Sequence, residues 1–107
     1  MTTFDNREKG EEALYKHDQE LGFKIRNRRN KLFGIWLAET HLGKSGEDAL
    51  AYAKGTVMAA FEHAGDEALL EKVKVDLAAA GVELSDFLLE KHLAECQAIA
   101  KTQVMAE

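Results

Sequence analysis

The sequence predicts an all-α fold: a small four-helix bundle with a long first helix and a mobile N-terminal arm. Three observations predict it. The 107 residues include no proline and 8 glycines, and proline is the residue least tolerated inside a helix. β-Branched residues are few beside Ala, Leu, Glu and Lys, so no strand pair stands out. The glycines and cap-forming residues separate stretches whose apolar positions recur at intervals of three and four.

The first helix is expected from about Thr3 to Leu42, with Leu14, Leu21, Ile25, Leu32 and Trp36 on one stripe and Gly43 ending it. Ser45-Gly46-Glu47-Asp48 reads as an N-cap followed by acids that complement the helix dipole. A second helix over 46–63 buries Leu50, Ala53, Val57, Ala60, Phe61 and Ala64 in this reading. Gly65-Asp66-Glu67 is a stop and restart, and a third helix over 66–80 presents Leu70, Val73, Leu77 and Ala80 before Gly81 closes it. Ser85 is an N-cap residue, with Leu84 placed to staple onto Leu89. The fourth helix, 86–105, presents Leu89, His92 or Leu93, Cys96, and Ile99 or Ala100. Links this short favour antiparallel neighbours. Phe33, Trp36, Tyr52, Phe61 and Phe87 are expected in the core, with Trp and Tyr leaving a polar tip at its edge.

A helix of about 40 residues spans about 60 Å at 1.5 Å per residue, so part of the first helix must project beyond the bundle. The N-terminal part is the one expected to project. Up to Glu20 its apolar residues are sparse (Phe4, Ala13, Leu14, Tyr15), and Gly10 costs about 1 kcal/mol relative to Ala in a helix. The chain therefore divides into an arm, 1–18, and a bundle, 19–107. Such an arm is either a frayed, solvated terminus or a segment that orders on a partner. Phe4, alone in a polar stretch, is either incidental or an interface anchor.

Several function classes are excluded or weakened. One cysteine, Cys96, forms no intramolecular disulfide, which removes the small secreted scaffolds and points to the cytosol. The N-terminus does not read as an export signal, and no window approaches the roughly 20 apolar residues of a membrane span. Gly43-Lys44-Ser45 ends like a phosphate loop, but Ala38 stands where the earlier glycine belongs and a helix precedes it instead of a strand. His17, His41, His63 and His92 lack the Glu-x-x-His spacing of bundle metal sites. His92 and Cys96, four apart, make at most half a metal site or a dyad without an orienting group, and packed core residues explain them better. Ser45 and Ser85 are explained by capping. No enzyme and no cofactor is expected.

The net charge of −5 is unevenly distributed: −3 over residues 1–20, +5 over 21–44 and −7 over 45–107. The basic block Lys24-Ile25-Arg26-Asn27-Arg28-Arg29-Asn30-Lys31 has no interleaved aromatics, and an acidic remainder repels a polyanion, so nucleic acid is not an expected partner. The commoner explanation is that the block pairs with acids on helices two to four or is solvated. The alternative is a helical nucleotide-binding or sensing module acting through 24–31, with Arg28 and Arg29 as weak candidates for ADP or ATP.

The opening Met-Thr-Thr-Phe-Asp-Asn-Arg-Glu-Lys, the stretch Lys16-His17-Asp18-Gln19-Glu20-Leu21-Gly22-Phe23-Lys24, Arg28-Arg29-Asn30-Lys31-Leu32-Phe33-Gly34-Ile35-Trp36 and Ala64-Gly65-Asp66-Glu67 are similar as a set to one family. The chain closely resembles the ATPase inhibitor zeta subunits of alphaproteobacterial F-type ATP synthases, over essentially its whole length. The resemblance implies a regulatory, non-enzymatic four-helix subunit whose partners are the α, β and γ subunits of F1. In that family the N-terminal arm is held to enter a catalytic interface between α and β near γ, blocking rotation in the hydrolytic direction. Carried over, the arm is Met1 to about His17, with the match close at Phe4, Asp5, Arg7 and Glu8; Gly10 departs from an uninterrupted inhibitory helix. Phe4, Leu14 and Tyr15 are the expected apolar anchors. Asp5, Arg7, Glu8, Lys9, Glu11 and Glu12 set partner and register by charge. The bundle, Glu20 to Glu107, serves as a stop or a second docking surface. The free protein is expected to be a cytoplasmic monomer without membrane insertion, located at the cytoplasmic face of the inner membrane when bound to ATP synthase.

Overall fold

The structure is a computed structural model that describes residues 17–63 and 65–107 with their side chains. Its helices are α1 (Thr2–Thr40), α2 (Gly46–Glu62), α3 (Glu67–Ala79) and α4 (Asp86–Met105), each ending within two residues of expectation. No strand occurs among the described residues.

The cross-helix contacts give the topology. Asn30 and Gly34 of α1 meet Thr56 and Ala53 of α2, so the two helices run antiparallel. Trp36 faces His92 while Arg28 faces Gln103, so α4 is antiparallel to α1 as well. Tyr52 reaches Asp76 and Gly55 approaches Lys72, which sets α3 antiparallel to α2. Each short link reverses the chain, as the spacing predicts.

The main core joins Phe33 and Leu37 of α1, Leu69, Val73 and Leu77 of α3, and Leu89, Leu93 and Cys96 of α4. Fully burying one such aliphatic or aromatic side chain contributes about 1.5–3 kcal/mol. A second, smaller cluster of Ile25, Ala100 and Val104, with Leu21 and Leu32 against it, holds the early part of α1 onto the end of α4. His17 to Glu20 are exposed. Among the described residues, burial along α1 thus begins at Leu21.

α2 turns a different face inward from the one its large apolar residues predict. Ala49, Ala53 and Thr56 are buried, whereas Leu50 and Phe61 are exposed and Val57 and Ala60 are half-buried; Ala64 lies outside the described residues. The cause is the close crossing with α1. At Gly34 a Cβ would lie 2.5 Å from Thr56 Oγ1 and 2.8 Å from Ala53 Cα. Only small side chains fit between backbones that close, so the larger ones are displaced outward. Thr56 satisfies its buried hydroxyl on backbone, donating to the Ala53 carbonyl at 2.6 Å and lying 3.1 Å from the Asn30 carbonyl.

The face of α3 is also shifted: Leu69 joins Val73 and Leu77 inside, while Leu70 is half-buried and Ala80 exposed. α4 follows its predicted stripe through Leu89, Leu93, Cys96 and Ala100, with Ile99 outside. Only Phe33 of the five predicted core aromatics is fully buried. Trp36 and Tyr52 are half-buried, and Phe61 and Phe87 stand out into solvent: Phe61 lies off the Ala49–Ala53–Thr56 face that α2 buries, and Phe87, two residues before the buried Leu89, falls on the opposite side of α4. Phe61 instead meets Phe23 edge to face at 5.6 Å.

The helix ends follow capping chemistry at Ser85 and Gly81 but not at Ser45 or at Asp66, the N-cap residue of α3, whose carboxylate makes no capping bond and faces Arg29 instead. Ser85 Oγ accepts from the Leu88 N–H at 3.1 Å, a regular N-cap. Gly81 takes φ +73°, and the Val82 and Gly81 N–H groups return to the Leu77 and Ala78 carbonyls at 2.8 and 3.0 Å, the two bonds of a Schellman end. Ser45 occupies the N-cap position of α2, but its hydroxyl makes no capping bond. Gly46 at the next position takes φ +56°, so the first turn departs from the regular geometry in which a cap hydroxyl lines up.

Candidate functional site

α1 carries every feature that the sequence marks for function. The candidate partner-binding residues Phe4, Asp5, Arg7, Glu8, Lys9, Glu11, Glu12, Leu14 and Tyr15 lie outside the described residues. The described part begins at the root of the arm and continues into the basic block.

The block is largely engaged within the fold. Lys24 Nζ lies 2.6 Å from Glu107 Oε2, and Arg28 pairs with the other oxygen of the same carboxylate while donating to Gln103 Oε1 at 3.0 Å. The hydrogen bond from Lys24, then that from Arg28, holds the Glu107 carboxyl below the usual range. These groups are partly exposed, so the clasp tethers the end of α4 to α1 more than it stabilises the fold. Arg29 points the other way and is mostly buried. Its guanidinium reaches Asp66 through Nη2 at 2.6 Å and Nη1 at 3.4 Å, and its Nε donates to Asn30 Oδ1 at 3.0 Å. That pair pins the link between α2 and α3 onto α1.

The helical spread of charges thus becomes two separate anchors, one to α4 and one to the α2–α3 link. Arg28 and Arg29 diverge and do not form one phosphate cradle. A nucleotide phosphate on them would have to displace Glu107 and Asp66. Asp66, Gln103 and Glu107 are the partners that sequence reasoning did not single out; the two acids were signalled only by the acidic excess of residues 45–107, and the neutral Gln103 not at all.

His92 and Cys96 are brought close by α4 but do not act on each other. His92 stacks on Trp36 with ring centroids 3.6 Å apart and 17° between planes, and its Nδ1 lies 3.3 Å from Glu95 Oε2. His41 meets the same indole edge to face at 5.0 Å. Cys96 is buried, and burial pushes its thiol pKa up to about 11, which keeps it protonated and unreactive. Among the described residues, no group of three His, Cys, Asp or Glu side chains is placed to hold a metal ion. Tyr52 donates to Asp76 at 2.8 Å while Lys72 lies over its ring, a lock between α2 and α3.

Burial lowers the His92 pKa, against a raising effect from Glu95 and with a further lowering from His41. The fold therefore prefers neutral His92, and its contribution is complete above the unfolded value of about 6.5 and lost as pH falls through the lower folded value. The thermal midpoint of the wild type is expected to drop more between pH 7 and 5 than that of His92→Gln. Trp36, the single tryptophan, should change fluorescence more over the same interval when His92 is present than in His92→Gln, which leaves only His41 on the indole. Identical pH profiles for the two proteins would show that His92 does not titrate against the fold.

Among the described residues, no helix is long and apolar enough to cross a membrane. A search of curated proteins finds no match to the chain. The family model described as ATPase inhibitor subunit zeta matches residues 1–103, which takes in α1, α2, α3 and α4 as far as Gln103. The chain therefore belongs to the ATPase inhibitor subunit zeta family, a family of inhibitor subunits and not of catalytic enzymes, whose membership implies binding to F1-ATPase and inhibition of its ATP hydrolysis.

Proposed function

We propose that residues 1–18 act as an inhibitory arm that inserts at an interface of the α, β and γ subunits of F1 and blocks rotation in the hydrolytic direction, while 19–107 form the bundle that carries it. The observation behind this reading is where burial along α1 starts. Among the described residues, His17 to Glu20 are exposed and the apolar clusters take in α1 only from Leu21 onward. The preceding segment is charged and poor in apolar residues, a composition that gains its stabilising contacts on a partner. Ordering such a segment costs several kcal/mol. Phe4, Leu14 and Tyr15 supply the apolar surplus, and Asp5, Arg7, Glu8, Lys9, Glu11 and Glu12 select the register. No observation favours the nucleotide module, since Arg28 and Arg29 already face Glu107, Gln103 and Asp66.

The test is ATP hydrolysis by F1 of the same organism, titrated with the full chain, with the chain lacking residues 1–18, and with Phe4→Ala/Leu14→Ala/Tyr15→Ala. The full chain should inhibit, the truncated one should not, and the triple variant should need at least tenfold more protein for half inhibition. Equal inhibition by all three would rule out the arm.

A further inference from the structure

We propose that Phe23 and Phe61, with Met58 one turn before Phe61, form a second docking surface of this chain for F1, seated on an apolar depression of F1 with a polar rim. The inference rests on the reading that α1 carries the arm into F1, and it assigns the bundle its own share of the contact.

The two rings touch edge to face at 5.6 Å, yet Phe23 is 51% and Phe61 64% exposed, and Met58 is exposed beside them. Two helices thus place aromatic side chains together at the surface and leave them uncovered. Around the rings lie Arg26 and Asn27 of α1 and Glu62 and His63 at the end of α2, bordering an open depression of about 360 Å³. An apolar centre ringed by hydrogen-bonding and charged groups is the anatomy of a protein contact surface.

Size and position select the occupant. At roughly 150–250 Å² for a whole aromatic side chain, the two rings expose on the order of 200 Å². A stable dimer needs about 800 Å² from each partner, so a second copy of this chain would not be held by this patch. A partner already gripped elsewhere on the same helix needs far less, because the second contact then forms at high effective concentration. Phe23 lies on α1 beside Leu21, where burial along the helix begins, and so adjoins the segment that engages F1. Phe87 is more exposed still, at 72%, but it sits on the first turn of α4, before His92, which faces Trp36. It therefore belongs to the far end of the bundle.

The experiment compares binding of full-length wild type, Phe23→Ala/Phe61→Ala, Phe61→Glu and Phe87→Ala to immobilised F1, together with inhibition titrations. The double variant and Phe61→Glu should each raise Kd tenfold or more while leaving the inhibition reached at saturation unchanged, and Phe87→Ala should bind like wild type. Since both rings are exposed, loss of either leaves the core intact, and Phe61→Glu changes α2 only at its last turn. An unchanged Kd in both variants overturns the docking surface even when the wild type inhibits. An equal loss in Phe87→Ala also overturns it. A wild-type dimer in sedimentation that the double variant dissolves would assign the patch to a second copy and overturn the proposal. Failure of the arm is read separately, as inhibition that survives removal of residues 1–18.

Discussion

Gly34→Ala is expected to destabilise the protein by about 2 kcal/mol, lowering the thermal midpoint by roughly 8–16 °C at the 4–8 °C per kcal/mol usual for a domain near this size. The added methyl would sit 2.5 Å from Thr56 Oγ1, 2.8 Å from Ala53 Cα and 3.2 Å from Ala53 Cβ. Thr56 cannot simply rotate away, because its buried hydroxyl holds the Ala53 carbonyl and meets that of Asn30. Ala53 Cα is backbone and cannot rotate at all. Relief requires α1 and α2 to separate, which loosens Ala38, Ala49 and Ala53 together. The gain of about 1 kcal/mol from alanine's higher helix propensity offsets only part of this. Gly22 in the same helix is the control: a Cβ there meets nothing within 4 Å. Gly22→Ala should therefore stabilise by about 0.5–1 kcal/mol. Thermal and urea unfolding of the two variants should move in opposite directions, and a Gly34→Ala protein melting at or above wild type would show that the close crossing does not hold the helices.

Asp66→Ala should be the most damaging single loss of a charge. Arg29 is 11% exposed at its side chain and its two Nη atoms face Asp66 alone among the described acids. Removing the partner of a fully buried ion costs about 3–5 kcal/mol. Asp66 is 45% exposed, so water can approach the stranded guanidinium, and the expected cost falls to about 1–2 kcal/mol. Removing the charge as well should recover most of it: Arg29→Met keeps the buried stem, and the double variant Asp66→Ala/Arg29→Met should be more stable than Asp66→Ala. Urea midpoints of the four proteins complete the cycle. A double variant less stable than Asp66→Ala would mean that Arg29 acts by packing and its bond to Asn30, and not through the ion pair.

The order, number and limits of the helices are legible in the sequence because their signals are local. Missing proline, left-handed glycines such as Gly81, the Ser85 cap and spacings of three and four act within a turn or two of chain. The stripe of α4 is legible for the same reason: it packs with Leu89, Leu93 and Cys96 inward, as large residues at core spacing do. α2 misleads because the reading ranks positions by hydrophobic size, and size is the wrong criterion where two backbones nearly touch. Leu50 and Phe61 are outside for lack of room, not for lack of hydrophobicity.

The basic block shows the same division. Its attraction to an acidic remainder is visible in the charge distribution, since opposite net charges along one chain must compensate in the fold. Which acids answer is not visible: Asp66 is 37 residues from Arg29 and Glu107 is 79 from Arg28. By itself the sequence determined an all-α chain of four helices and a polar segment ahead of a bundle, properties of local pattern and composition, and its family through the resemblance of several segments taken together. Only the tertiary structure decided which face of α2 is buried, that Gly34 is the point of closest approach, that Arg28 and Arg29 turn to different partners, and that Phe23 and Phe61 meet uncovered. Those are decided by how far apart and at what rotation the helices pack, which depends on contacts between residues distant in the chain and leaves no mark on any one stretch of it.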